Sequence, residues 1–173
     1  ERMLVAKQTY HKDLSVLTKG HDPLLRQNLQ RDIEQGVFRL FLQPKADVTT
    51  GRIVGAEALV RGYRPESGLI APDKFVPMLE KEGLIRYIDL FMFEEVCRSL
   101  QSWQAQGLAL IPVSVNFSRV TLLEEQLVQE MEAIRRAYGV DARYIEIEMT
   151  ESLGELERDT LAHIGRQIRL QGY

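Results

Sequence analysis

Three stretches of this sequence place an oxygen ligand near the end of an otherwise apolar run. Glu57 lies in Arg52 to Arg61, and Asn116 in Val113-Ser114-Val115-Asn116-Phe117-Ser118. Glu148 lies in Ile145-Glu146-Ile147-Glu148-Met149-Thr150-Glu151. A carboxylate taken into such a run is costly unless a cation or a donor compensates it. Strand alternation sets Gly55, Glu57, Leu59 and Arg61 on one face, so acid and base point the same way. Glu146 and Glu148 share a face too, and two like charges side by side call for a cation or a raised pKa. Two carboxylates and an amide oxygen make a hard set suited to Mg²⁺ or Mn²⁺. No histidine or cysteine lies in these segments, which argues against zinc. Each residue also has a plainer explanation. Glu57 could be a structural acid paired with Arg61, Asn116 a turn former ahead of Ser118 and Thr121, and Glu148 part of a solvated edge strand. The coincidence of all three at equivalent strand ends favours one shared site.

The elements that must position these residues alternate. Asp22-Pro23 reads as the N-cap and first position of a helix with a Leu25, Leu29, Ile33 stripe, stopping at Gly36. Strands are expected at Phe38–Gln43 and Arg52–Arg61, joined by a Thr49-Thr50-Gly51 turn and followed by a loop from Gly62 to Ile70. Asp73 reads as the cap of a short helix through Glu80. A longer helix carries Ile85, Ile88, Met92, Val96, Leu100 and Trp103 at spacings of three and four. A strand is expected at Ile111–Phe117. Thr121 with Glu124 suggests a capping box for a helix bearing Leu123, Leu127, Met131, Ile134 and Tyr138. A strand at Arg143–Met149 and a helix holding Leu156, Leu161, Ile164 and Ile168 complete the series. The order argues for an α/β fold with mainly parallel strands, whose C-terminal ends share one mouth.

The totals exclude several classes. The 173 residues carry a net charge of −3, which gives no support for bulk attraction to nucleic acid or an anionic membrane. Apolar runs fall far short of the ~20 residues a membrane helix needs. The lone Cys97 excludes an internal disulfide and sits in a helical apolar pattern, as a buried inert thiol would. A reducing cytoplasmic setting is expected. His11, His21 and His163 are scattered, and none is assigned to catalysis. Trp103, Phe91 and Phe93 read as core; Glu124-Glu125 and Arg135-Arg136 read as solvated helix faces.

The motifs together resemble a family. Phe41-Leu42-Gln43-Pro44, then Gly51-Arg52-Ile53-Val54-Gly55-Ala56-Glu57-Ala58-Leu59-Val60-Arg61, then the Asn116 and Glu148 segments, occur in the order of the EAL domain, the bacterial cyclic di-GMP phosphodiesterase. Gly68-Leu69-Ile70-Ala71-Pro72 and Phe75-Val76-Pro77 match as well. The resemblance runs from about Leu24 to Tyr173. Residues 1–21 read as a leader or linker resembling the end of a GGDEF-type cyclase domain, and residues 22–173 as a partial EAL domain.

The resemblance implies a TIM-like (β/α) barrel, of which this is the N-terminal part, with its first strand antiparallel. It implies two Mg²⁺ or Mn²⁺ ions at the C-terminal mouth and in-line hydrolysis of cyclic di-GMP to pGpG. Glu57, Asn116 and Glu148 would be metal ligands, with Glu57 and Glu148 carrying catalysis. Gln43 and Arg61 would bind substrate, and Glu151 would support the site from behind. The family's Asp-Asp-Phe-Gly strand is expected beyond Ile168-Arg169-Leu170-Gln171-Gly172-Tyr173, where the sequence stops. The chain alone is therefore expected not to be a competent hydrolase. An open half-barrel is also expected to pair with another copy. The alternative is an inactive EAL-like module that binds cyclic di-GMP or a protein partner.

Overall fold

A computed structural model describes residues 23–149 and 161–173 in full, and the backbone of 158–160. The N-cap assigned to Asp22, the leader, and Glu151 lie outside the described residues.

Helix α1 (Pro23–Glu34) buries Leu29, and Gly36, at φ 71°, ends it. Strand β1 (Phe38–Ala46) runs antiparallel to β2 (Ile53–Arg64), with Gln43 opposite Glu57 and Lys45 opposite Gly55. Both strands are longer than the apolar pattern predicts. β1 continues through Pro44 because it is an edge strand, where a missing N–H costs the ladder least. The expected Gly62–Ile70 loop is instead a hairpin: β2 runs on to Arg64 and pairs with β3 (Gly68–Ile70). Gly62 permits this, because a Cβ there would stand 3.0 Å from the Ile70 Cβ.

A 3₁₀ turn (Pro72–Lys74) leads into α2 (Val76–Lys81). Asp73 caps neither, since it lies inside the turn and pairs with Lys74 at the surface. Helix α3 (Ile85–Ala105) is the centre of the core. Its Phe93, Val96, Cys97 and Leu100 are at most 1% exposed, packed beneath the sheet with Phe117 and Ile145. Each such side chain stabilises the fold by about 1.5–3 kcal/mol relative to exposure.

Strand β4 (Val113–Phe117) joins β2 in parallel, and β5 (Ile145–Met149) joins β4 in parallel. The sheet order is β1-β2-β4-β5, with β3 on the far end of β2. This is the polarity expected for the opening strands of a (β/α) barrel with an antiparallel first strand. The expected capping box is absent. Ser118 caps α4 (Arg119–Leu122) by accepting from the Thr121 N–H, and α5 (Leu127–Tyr138) starts later, after Gln126. β5 begins at Ile145 because Ala142–Tyr144 forms a 3₁₀ turn capped by Asp141. Helix α6 (Arg158–Leu170) closes the series.

Each of the two charge runs has one exposed member, Glu125 and Arg136, and one that is drawn into an ion pair, Glu124 and Arg135. Glu132, only 7% exposed, takes both arms of Arg135 and the Nε of Arg136. Glu124 lies 2.8 Å from Arg86 Nε, outside hydrogen-bonding geometry, while Arg86 Nη2 donates to Glu130 at 2.6 Å. His163 meets Gln167 on the exposed side of α6. Among the described residues no helix is long and apolar enough to cross a membrane.

Candidate functional site

Strand periodicity and register gather the candidate residues. Gln43 is level with Glu57, Glu57 with Ser114, and Ser114 with Glu146. One strand repeat further along, Asn116 is level with Glu148. Because paired residues project to the same side, Gln43, Lys45, Glu57, Ser114, Asn116, Glu146 and Glu148 all occupy one face of the sheet.

The side chains form two groups on that face. In the first, Asn116 Nδ2 donates to Glu57 Oε1 at 2.8 Å, tying β2 to β4. Among the described residues, Asn116 Oδ1 and Glu57 Oε2 are left without a protein donor. In the second, Lys45 Nζ donates to Glu148 Oε1 at 2.7 Å and to Ser114 Oγ at 2.8 Å, with Glu146 Oε2 at 3.7 Å. The cation that the neighbouring Glu146 and Glu148 require is therefore a lysine of the chain itself. Its hydrogen bond holds the Glu148 carboxyl below the usual glutamate range. The same bond, outweighing desolvation, raises the Lys45 ammonium, with Glu146 and Glu57 adding to it.

Arg61 is not paired with Glu57. Its guanidinium folds back onto the Val60 carbonyl at 2.8 Å, at the rim of a cavity of about 200 Å³ between the ends of β2 and β4. Gln43 is exposed on β1. Behind the cavity lies a group that sequence patterning misses. Asp89 of α3, 6% exposed, accepts from Ser118 N at 3.0 Å and from Thr121 Oγ1 at 2.6 Å. It thereby fixes the turn that leaves β4 just after Asn116. Burial pushes its carboxyl up to about 6, against the pull of those donors. Lys45 is missed as well, although its place two residues beyond Gln43 on the same face is the signal that could have found it.

The donors suit a hard divalent ion, since they are carboxylate and amide oxygens with no sulfur or imidazole among them. Among the described residues no three acidic, histidine or cysteine side chains converge closely enough to hold a metal.

Comparison with known proteins identifies the family and the fold. The family model described as the EAL domain matches residues 26–173. The chain is 30% identical over 172 residues to a cyclic di-GMP phosphodiesterase of Pseudomonas aeruginosa, covering 93% of this chain and 29% of that protein. It is 33% identical over 132 residues to the oxygen sensor protein DosP of Escherichia coli, covering 76% of this chain and 16% of that one. The chain thus spans less than a third of the length of either relative. Among solved structures, the PaMucR phosphodiesterase in complex with c-di-GMP is similar with a TM-score of 0.78 and 30% identity, over 86% of this chain and 60% of that one. The FimX EAL domain of Xanthomonas citri shares the fold, with a TM-score of 0.68 at 19% identity, over 84% of this chain and 54% of that one. The family match covers residues 26–173, most of the chain, and on that ground the chain belongs to the EAL domain family.

Proposed function

We propose that this chain supplies the first half of a phosphodiesterase site that hydrolyses cyclic di-GMP to linear pGpG. The observation that carries this reading is the Glu57–Asn116 contact at the mouth of the sheet, with Glu148 level with Asn116 on the next strand. Glu57, Asn116 and Glu148 would hold divalent ions, Mg²⁺ or Mn²⁺, and such ions supply Lewis acidity toward a phosphodiester. The chain's own residues do the rest. Asn116 orients the Glu57 carboxylate. Arg61, at the cavity rim, is placed to turn from Val60 O toward a substrate phosphate, as a guanidinium suits. Gln43, level with Glu57, offers an amide to a guanine edge. Glu151, two residues beyond β5 in the sequence, would support the ligands from behind. The names of relatives whose titles give cyclic di-GMP as substrate or ligand support this choice of dinucleotide.

A second reading, an inactive module that binds cyclic di-GMP or a protein, draws on one observation: the acids described do not by themselves converge on a metal. The experiment that separates the two readings is Glu57→Gln in a version of the chain extended through the barrel strands that the resemblance implies. Hydrolysis before the substitution and its loss afterwards, with dinucleotide binding retained, supports the phosphodiesterase. Binding without turnover in either form supports the module.

A further inference from the structure

We propose that Lys45 is a positioning residue of this site, reaching across β2 from β1 to fix the Glu148 carboxylate for a divalent ion. The inference rests on the reading that Glu148 holds such an ion. Lys45 sits on the edge strand, yet its Nζ bonds neither β1 nor β2. It reaches Ser114 on β4 at 2.8 Å and Glu148 on β5 at 2.7 Å. Its register partner is Gly55, which carries no side chain beside the lysine stem. A Cβ built on Gly55 would stand 3.9 Å from Lys45 Cδ and 3.1 Å from the Pro112 carbonyl.

Lys45 and Glu148 are each 39% exposed, but the ammonium is anchored on a second acceptor that a surface ion pair lacks. Ser114 is fully buried, so one acceptor of the ammonium is fixed by the core. A glutamate side chain left free costs up to about 2 kcal/mol in rotamer entropy when it is later immobilised. Anchoring the Glu148 carboxylate through Oε1 settles this before a ligand arrives. The same ammonium faces Glu146 at 3.7 Å, which eases the repulsion between the two glutamates. Partners that orient a ligand in this way typically change metal affinity or activity by about 10–100-fold when removed.

The test is the affinity for Mn²⁺ alone, read from the free-ion electron paramagnetic resonance signal, in the full chain and in its extended version. Lys45→Met keeps the stem and removes the ammonium, and Lys45→Gln does so with a polar end should the first variant fail to fold. Either is expected to weaken Mn²⁺ binding about 10–100-fold, with Lys45→Arg recovering part of the loss. Unchanged affinity overturns the positioning role, and tighter binding overturns it in favour of a lysine that competes with the ion. If neither unsubstituted form binds Mn²⁺, the metal reading fails and this inference fails with it. If binding is present and insensitive to Lys45, only this inference fails.

Discussion

Asn116 Nδ2 meets Glu57 Oε1 at 2.8 Å, so two neighbouring parallel strands are joined at the mouth by an amide and a carboxylate. The bond engages the Asn116 nitrogen and one Glu57 oxygen, and leaves Asn116 Oδ1 and Glu57 Oε2 without a protein donor among the described residues. Asn116→Ala removes both the amide oxygen and the donor that aims Glu57. Metal-dependent hydrolysis of cyclic di-GMP in the extended version is expected to fall at least about 10–100-fold, with a far-UV circular dichroism spectrum unchanged. A variant with full activity would contradict the role given to this pair.

Asp89 makes stability depend on pH in an unusual direction. Its folded carboxyl is pushed up to about 6 by burial, above the ordinary value of 3.8. The native state therefore holds this proton more tightly than the unfolded chain. Its contribution to stability is greatest below pH 3.8 and is lost as pH rises through about 6. The stability lost between low and neutral pH is on the order of 3 kcal/mol. Asp89→Asn keeps an acceptor for Ser118 N and Thr121 Oγ1 and removes the titration. Urea unfolding at several pH values should show the variant gaining on the natural chain between pH 4 and 7, and parallel curves would contradict the assignment.

Arg86 is held between two acids in a half-buried pocket. Burial pulls its guanidinium down, and Glu124 and Glu130 more than offset that. Arg86→Ala leaves both acids without their cation, and a loss of about 3 kcal/mol is expected in denaturant unfolding. A loss below about 1 kcal/mol, the range of a surface pair, would show that water replaces the arginine at no cost.

Cys97 is fully buried on α3, and desolvation raises its thiol well above the usual range. A thiol reagent at pH 8 should leave it unmodified in the folded chain and react once denaturant is added. Fast labelling without denaturant would mean that α3 opens readily.

Much of this arrangement is legible in the sequence for simple reasons. Period-2 alternation places Glu57 with Arg61, and Glu146 with Glu148, within their own strands, and the three-and-four spacing from Ile85 to Leu100 marks the core helix; the face that Glu57, Asn116 and Glu148 share comes from the sheet register. What is not legible depends on contacts distant in sequence. Lys45 follows Pro44, which reads as the end of a strand until the structure reveals an edge, and its partners lie 69 and 103 residues away. The Thr121 and Glu124 pattern has the spacing of a capping box, but tertiary partners claim both residues: Asp89 takes the Thr121 hydroxyl, and Arg86 lies against Glu124. The Gly62–Ile70 segment has loop composition, and only the close approach that Gly62 allows turns it into a hairpin.

The most direct test is conversion of cyclic di-GMP to pGpG, with Mg²⁺ or Mn²⁺, by this chain beside the version extended through the following barrel strands. Turnover by the extended version alone is the predicted result, because the acids described here do not by themselves converge on a metal. Robust turnover by the 173-residue chain would contradict the claim that its site is partial. Binding without turnover by both would contradict the claim that the site is hydrolytic.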